Sequence, residues 1–151
     1  YHGDLARVVA ADLHRVGSPL CADDLANHQA SRVEPLNVRV GGAQLYNMTP
    51  PTQGLASLQI LALFDRLGIT EAEEFAHIHG LIEATKQAFI VRNREVTDPD
   101  YMSQPAAQFL DDGLLDEMAN RIDPRQALPW PQPALPGDTI WMGAVGPFDT
   151  E

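Results

Sequence analysis

The sequence predicts an α+β chain, mainly helical, with one β-hairpin and one terminal strand. Three observations predict it. Apolar residues recur at helical spacing over most of the length. Two alternating runs, from Leu36 to Met48, are divided by the pair Gly41-Gly42, a hairpin signal because both turn positions accept positive φ. A short apolar run, Ile140–Val145, follows a proline-rich stretch and reads as a strand.

Leu5, Val8, Val9, Leu13 and Val16 form the stripe of a first helix, which Gly17 and Pro19 stop. A short acidic helix is expected from Ala22 to His28, with Asp23 and Asp24 near the positive end of its dipole. Leu36, Val38 and Val40 then alternate into the hairpin. Met48–Gly54 is a polar turn holding Pro50 and Pro51. The helix after it, Leu55–Leu67, is apolar nearly all round, so it should be central and buried until Gly68 ends it. A long helix is expected from Glu71 to Val96, with Phe75, Ile78, Ile82, Ala88 and Phe89 on its buried face. Asp98-Pro99 terminates it, because the residue before proline avoids the helical region. The last helix spans Asp111–Ile122, with Leu115, Met118, Ala119 and Ile122 facing inward. Residues 124–136 hold five prolines and should form an extended tether, with Trp130 available to pin it to a surface.

Composition narrows the function. The chain has 151 residues, a plausible single-domain length, and a net charge of -11. Nucleic acid and anionic membrane surfaces are therefore poor partners. No apolar run is long enough to span a bilayer as a helix. The lone Cys21 allows no internal disulfide and reads as a small apolar filler. No cofactor is expected.

Several candidate sites weaken on geometry. Adjacent carboxylates such as Asp23 and Asp24 point apart on a helix, so capping outweighs paired catalysis. His14 has no second ligand at helical spacing. His79 and Glu83 share a helix face, but His77 lies on the other side, so no metal is expected there. Gly41-Gly42 lacks the lysine and following helix of a phosphate loop.

One bond stands apart, Asp138–Thr139, at the start of the terminal strand. If it is cut, Thr139 carries a hydroxyl nucleophile and a free α-amine on one residue, a complete nucleophile–base pair. Such an amine titrates at about 7.7–8, so near neutral pH part of it accepts a proton. A threonine entering a strand also fits there simply as a β-branched residue.

The order of short motifs resembles the gamma-glutamyltranspeptidase family of N-terminal nucleophile hydrolases. The motifs are Tyr1-x-Gly3-Asp4-Leu5-Ala6, Asp24-Leu25-Ala26, Glu34-Pro35-Leu36, and Asn47-Met48-Thr49-Pro50-Pro51-Thr52-Gln53-Gly54 with Leu58-Gln59-Ile60-Leu61. Glu83-Ala84-x-Lys86-x-Ala88-Phe89-x-x-Arg92 and Asp98-Pro99-Asp100-Tyr101 complete the set. The resemblance implies a piece of a four-layer αββα fold. It implies that a precursor cuts itself before Thr139, which becomes the nucleophile with its own α-amine as base. It divides the chain into a large-subunit part (1–123), a tether (124–137) and the cleavage site with the first small-subunit strand (138–151). The expected partners are the remainder of both subunits and a small amide with an acidic acyl group. By itself the piece should be inactive and self-associate through uncovered apolar surface. A bacterial cytoplasmic or periplasmic location is what the family implies, and the sequence itself leaves location open.

The nucleophile motif departs from the family's Thr-Thr-His and reads Thr139-Ile140-Trp141. That resembles a divergent acylase and amidohydrolase branch, and it points away from glutathione toward a γ-glutamyl or shorter, oxalyl-type acyl group. The other reading is a non-catalytic helical domain for packing or partner binding.

Overall fold

A computed structural model describes residues 1–130 and divides the chain after Pro35 into two units. The expected strand 140–145 and the bond Asp138–Thr139 lie outside the described residues.

The first unit holds α1 (Asp4–Arg15) and α2 (Ala22–Asn27). Gly17 takes φ +75° just past α1, and the Ser18 N–H returns to the Leu13 carbonyl at 2.9 Å. This left-handed close is what glycine permits without steric cost. At the start of α2 the Asp24 carboxylate accepts the Cys21 N–H at 2.8 Å. That hydrogen bond holds the Asp24 carboxyl below its ordinary pKa, with the Cys21 side chain adding to it and slight burial opposing. Asp24 therefore contributes to the helix cap. Although α1 has a clear apolar stripe, none of its residues is fully buried.

The second unit is built on β1 (Leu36–Val40), β2 (Ala43–Asn47), α3 (Gly54–Arg66), α4 (Phe75–Glu95) and α5 (Asp112–Asn120). Two 3-10 turns, Pro99–Tyr101 and Ala106–Leu110, link α4 to α5. The strands pair antiparallel with Leu36 opposite Asn47 and Val40 opposite Ala43. Gly41 and Gly42 both take positive φ, +55° and +82°, as the turn requires. The hairpin buries Leu36 and Val38 against α3.

α3 packs against the hairpin, α4, α5 and the second 3-10 turn. Leu55, Leu58, Ala62 and Leu63 are fully buried, so this helix is the centre of the core. Its cover is least complete at Leu61, which is 44% exposed. Gly54 at its first turn has no room for a side chain, because a Cβ there would come within 2.0 Å of the Met48 carbonyl oxygen. α5 buries Leu115, Met118 and Ala119 as its spacing predicts; it ends at Asn120 instead of Ile122, which is buried just past the helix, and the Asp111 side chain caps its start by accepting the Gly113 N–H at 2.9 Å.

The long helix differs from expectation in two ways. It begins at Phe75 instead of Glu71, because Glu73 adopts φ +65° and breaks the helical path. Its buried face is also different. Phe75, Ile78 and Ile82 are 69%, 50% and 49% exposed, and Phe89 is half-buried. The buried face is Gly80, Glu83, Ala84, Gln87, Ala88 and Val91. Close approach explains the exchange: at Gly80 an added Cβ would lie 2.6 Å from the Ile69 side chain, so α4 meets its neighbours along its small residues. Its charged member, Glu83, has a polar task described next.

Candidate functional site

Thr139 and Asp138 are the residues expected to carry chemistry, and both lie outside the described residues. What the structure does place is the segment that leads to them. After α5 the chain turns at Asp123, whose carboxylate accepts the Arg125 N–H at 2.8 Å and the Gln126 N–H at 3.1 Å. From there, residues 123–130 run along α4.

α4 holds this segment at successive turns of one face. His79 Nε2 lies 2.8 Å from the Asp123 carbonyl oxygen and donates to it, which fixes the proton on Nε2. Glu83 Oε2 accepts the Leu128 N–H at 3.1 Å. Lys86 Nζ donates to the Leu128 carbonyl at 2.7 Å and to Glu83 Oε1 at 2.6 Å. Both backbone polar groups of Leu128 are thus bonded to one ion pair. A turn further on, the Trp130 ring lies 6.4 Å from that of Phe89, centre to centre, and the Arg92 guanidinium covers the Phe89 ring at 3.7 Å.

Glu83 is only 2% exposed. Burial pushes its carboxyl up. The Lys86 hydrogen bond, the Leu128 N–H and the charges of Lys86 and His79 outweigh that, so the net shift is downward. Glu83 is therefore ionised at neutral pH and fully engaged.

The geometry also shows where the other histidine goes. His77 meets the Phe64 ring edge-on at 5.1 Å, and the His79 ring stacks on Phe75 at 5.2 Å. Among the described residues no three side chains of metal-binding type come together. A cavity of about 350 Å³ opens between the ends of α3, α4 and α5, beside His79 and Gly80. Arg66 at its wall is held by Asp112 at 2.5 Å and Asp116 at 2.7 Å, so its charge is already matched.

Sequence reasoning put His79 and Glu83 on one face but assigned no role to Lys86 or Leu128. The signal available was polar residues at positions 79, 83 and 86, one helical face, within a long helix.

The family model for gamma-glutamyltranspeptidase matches residues 1–147. The chain belongs to the gamma-glutamyltranspeptidase family. It is 40% identical over 145 residues to the "oxamate amidohydrolase proenzyme" of Klebsiella pneumoniae, covering 96% of this chain and 28% of that protein. It is 28% identical to the "glutathione hydrolase proenzyme" of Escherichia coli, over 99% of this chain and 25% of that one. Among solved structures, the cephalosporin acylase of Bacillus halodurans superposes with a TM-score of 0.70 and 30% identity, over 82% of this chain and 23% of the other. This chain therefore spans about a quarter of the length of these relatives. Hydrolases, acylases and proenzymes recur in the family's names, and the α+β fold described above is the one its solved members share over this stretch.

Proposed function

We propose that this chain is part of a self-processing precursor in which residues 1–123 belong to the large subunit, 124–137 form the tether and 138–151 carry the cut bond and the first small-subunit strand. The observation that carries this reading is the 40% identity, over nearly the whole chain, to a relative named as an amidohydrolase proenzyme.

In the first step the Thr139 hydroxyl attacks the Asp138 carbonyl carbon. The C–N bond breaks, the nitrogen takes a proton and becomes the Thr139 α-amine, and the acyl group sits on Oγ as an ester. Water then opens the ester, leaving the Asp138 carboxylate and a free Thr139. In the second step the α-amine takes the hydroxyl proton while Oγ attacks a substrate amide, and the amine product leaves with that proton. Water, or another amine, then releases the acyl group. The chemistry needs neither metal nor cofactor.

The substrate is a small amide with an acidic acyl group, oxalyl-type ahead of γ-glutamyl. Support comes from the relative named for oxamate, and from Ile140 and Trp141. These large apolar side chains beside Thr139 remove hydrogen-bonding groups, and a site that loses such partners can discriminate by up to about 10⁴-fold. The partners are the remainder of both subunits. Separated from them, the 151-residue chain is inactive and self-associates, now through the exposed α4 residues Phe75, Ile78 and Ile82 more than through α3.

The test uses the full-length precursor. Intact mass should show two chains split before Thr139, and Thr139→Ala should give one uncut, inactive chain, with Thr139→Ser retaining part of both activities. On the split enzyme, kcat/KM for oxamate should exceed that for a γ-glutamyl anilide. Cleavage at this bond in the Ala variant defeats the mechanism. Turnover of only bulky uncharged acyl amides defeats the substrate assignment.

A further inference from the structure

We propose that Glu83 and Lys86 are positioning residues for the self-cleavage: together with Phe89 they clip Leu128 and Trp130 to α4 and so fix the anchor from which the tether presents the bond at Thr139. This rests on the reading of Asp138–Thr139 as the cut bond.

The geometry is that of a clip. The Glu83–Lys86 pair bonds both the N–H and the carbonyl of a single residue, Leu128, which lies beyond α5. A pairing of both groups sets the register of the chain, where one bond would only set proximity. His79 and Phe89 add contacts on either side, at Asp123 and Trp130.

Stability alone does not call for this pair. Glu83 is the one charged residue on the buried face of α4, where desolvation opposes a charge. Buried ion pairs replaced by apolar residues of similar size are often neutral or more stable. A buried pair aimed at a tether backbone is better explained by placement.

Placement matters because of chain length. Asp138 is eight residues beyond Trp130 and sixteen beyond Ile122, the last buried residue of the preceding core. Losing the clip doubles the number of residues between the last anchored position and the bond. The loop-closure relation makes each doubling cost a factor of about three in the chance of presenting the bond. Loss of register adds to that, since a misplacement of about 1 Å at a reacting bond can cost roughly 10²-fold.

The experiment follows self-cleavage of the full-length precursor by intact mass over time. Glu83→Leu with Lys86→Met removes both charges while keeping bulk. The cut should slow by about three-fold to 10²-fold, with thermal stability unchanged or higher and with kcat/KM normal once the chain is split. A merely structural role would lower stability and leave the rate of the cut unchanged per folded molecule. Lys86→Arg, which keeps a cationic donor, should restore much of the rate. Trp130→Ala lies outside the core and should slow the cut without unfolding anything. Wild-type cleavage rates in Trp130→Ala and in the folded double variant overturn the proposal while leaving the cut bond intact as a reading. A wild-type precursor that never splits before Thr139 overturns both.

Discussion

α3 and α4 pack against each other, yet they bury opposite kinds of surface. α3 buries large aliphatic side chains, Leu55, Leu58 and Leu63. α4 buries Gly80, Ala84 and Ala88 along with Glu83 and Gln87, and leaves Phe75, Ile78 and Ile82 in the open. The difference teaches that apolar spacing identifies a helix but does not alone choose its inner face. α3 has apolar residues on every side, so any orientation buries some. α4 has two usable faces. Small residues let it lie close to Leu67 and Ile69, and its polar residues bond the segment that follows α5.

The comparison breaks most readily at Leu58, which is 1% exposed in the middle of the core. Leu58→Ala should destabilise the chain by about 2–5 kcal/mol, from lost transfer energy and the cavity left behind. Urea unfolding followed by helical circular dichroism would show it as a lower midpoint at unchanged slope. A cost under about 1 kcal/mol would mean that α3 is not the centre of the core.

Lys86→Met tests the polar side of the comparison. It leaves the Glu83 carboxylate buried without its cation, for a cost of about 3 kcal/mol; this is the low end for such a removal, because the Leu128 N–H still bonds Glu83. The added Glu83→Leu change should recover all of it or more. Acid gives an independent check. Glu83 has a folded-state pKa below its ordinary value. Its contribution is therefore fully present above that ordinary value and is lost as pH falls through the lowered one. Wild type should lose stability below about pH 4 more steeply than the double variant. Parallel acid curves would show that the pair contributes nothing.

Gly80→Ala probes the close approach. The new methyl would meet the tips of Ile69 and Leu67, at 2.6 and 3.1 Å, and both are flexible ends. Overpacking of about 1–3 kcal/mol is partly offset by the better helix propensity of alanine, leaving a net loss of about 1 kcal/mol. A stabilised variant would mean that α4 can move away freely, and that its small residues do not choose the face.

How much of this was legible in sequence follows from how local each cause is. The hairpin and its register follow from Gly41-Gly42 and the alternation around it, all within a dozen residues. The cap at Asp24 and the inner face of α5 are local in the same sense. The face of α4 is not. What makes Glu83 an inside residue is the Leu128 backbone, forty-five positions away, and no pattern within the helix encodes that partner. The start of α4 was also hidden, since the positive φ at Glu73 is a conformation its side chain does not announce. At the candidate site, a chemical argument and a family resemblance point to Thr139, which lies outside the described residues, whereas the clip became visible only once the chain was folded.

The smallest expected effect is at Ile78, half exposed in the middle of the α4 stripe. Helical spacing alone would make it a core residue, and Ile78→Lys would then bury an unpaired ammonium and unfold the chain. In the folded structure the side chain is already in water, so a lysine there keeps its charge solvated. The urea midpoint should move by no more than the equivalent of about 0.5 kcal/mol, as for surface substitutions generally. Association should respond more strongly. Phe75, Ile78 and Ile82 lie at spacings of three and four residues and form one apolar strip, and a charge at its centre must be desolvated whenever two copies meet through it. Sedimentation of the 151-residue chain should therefore shift toward monomer in Ile78→Lys at unchanged helical content. A large loss of stability would return Ile78 to the core and abolish the contrast between the two helices. Unchanged association with an unchanged midpoint would keep the contrast and assign the self-association to another surface.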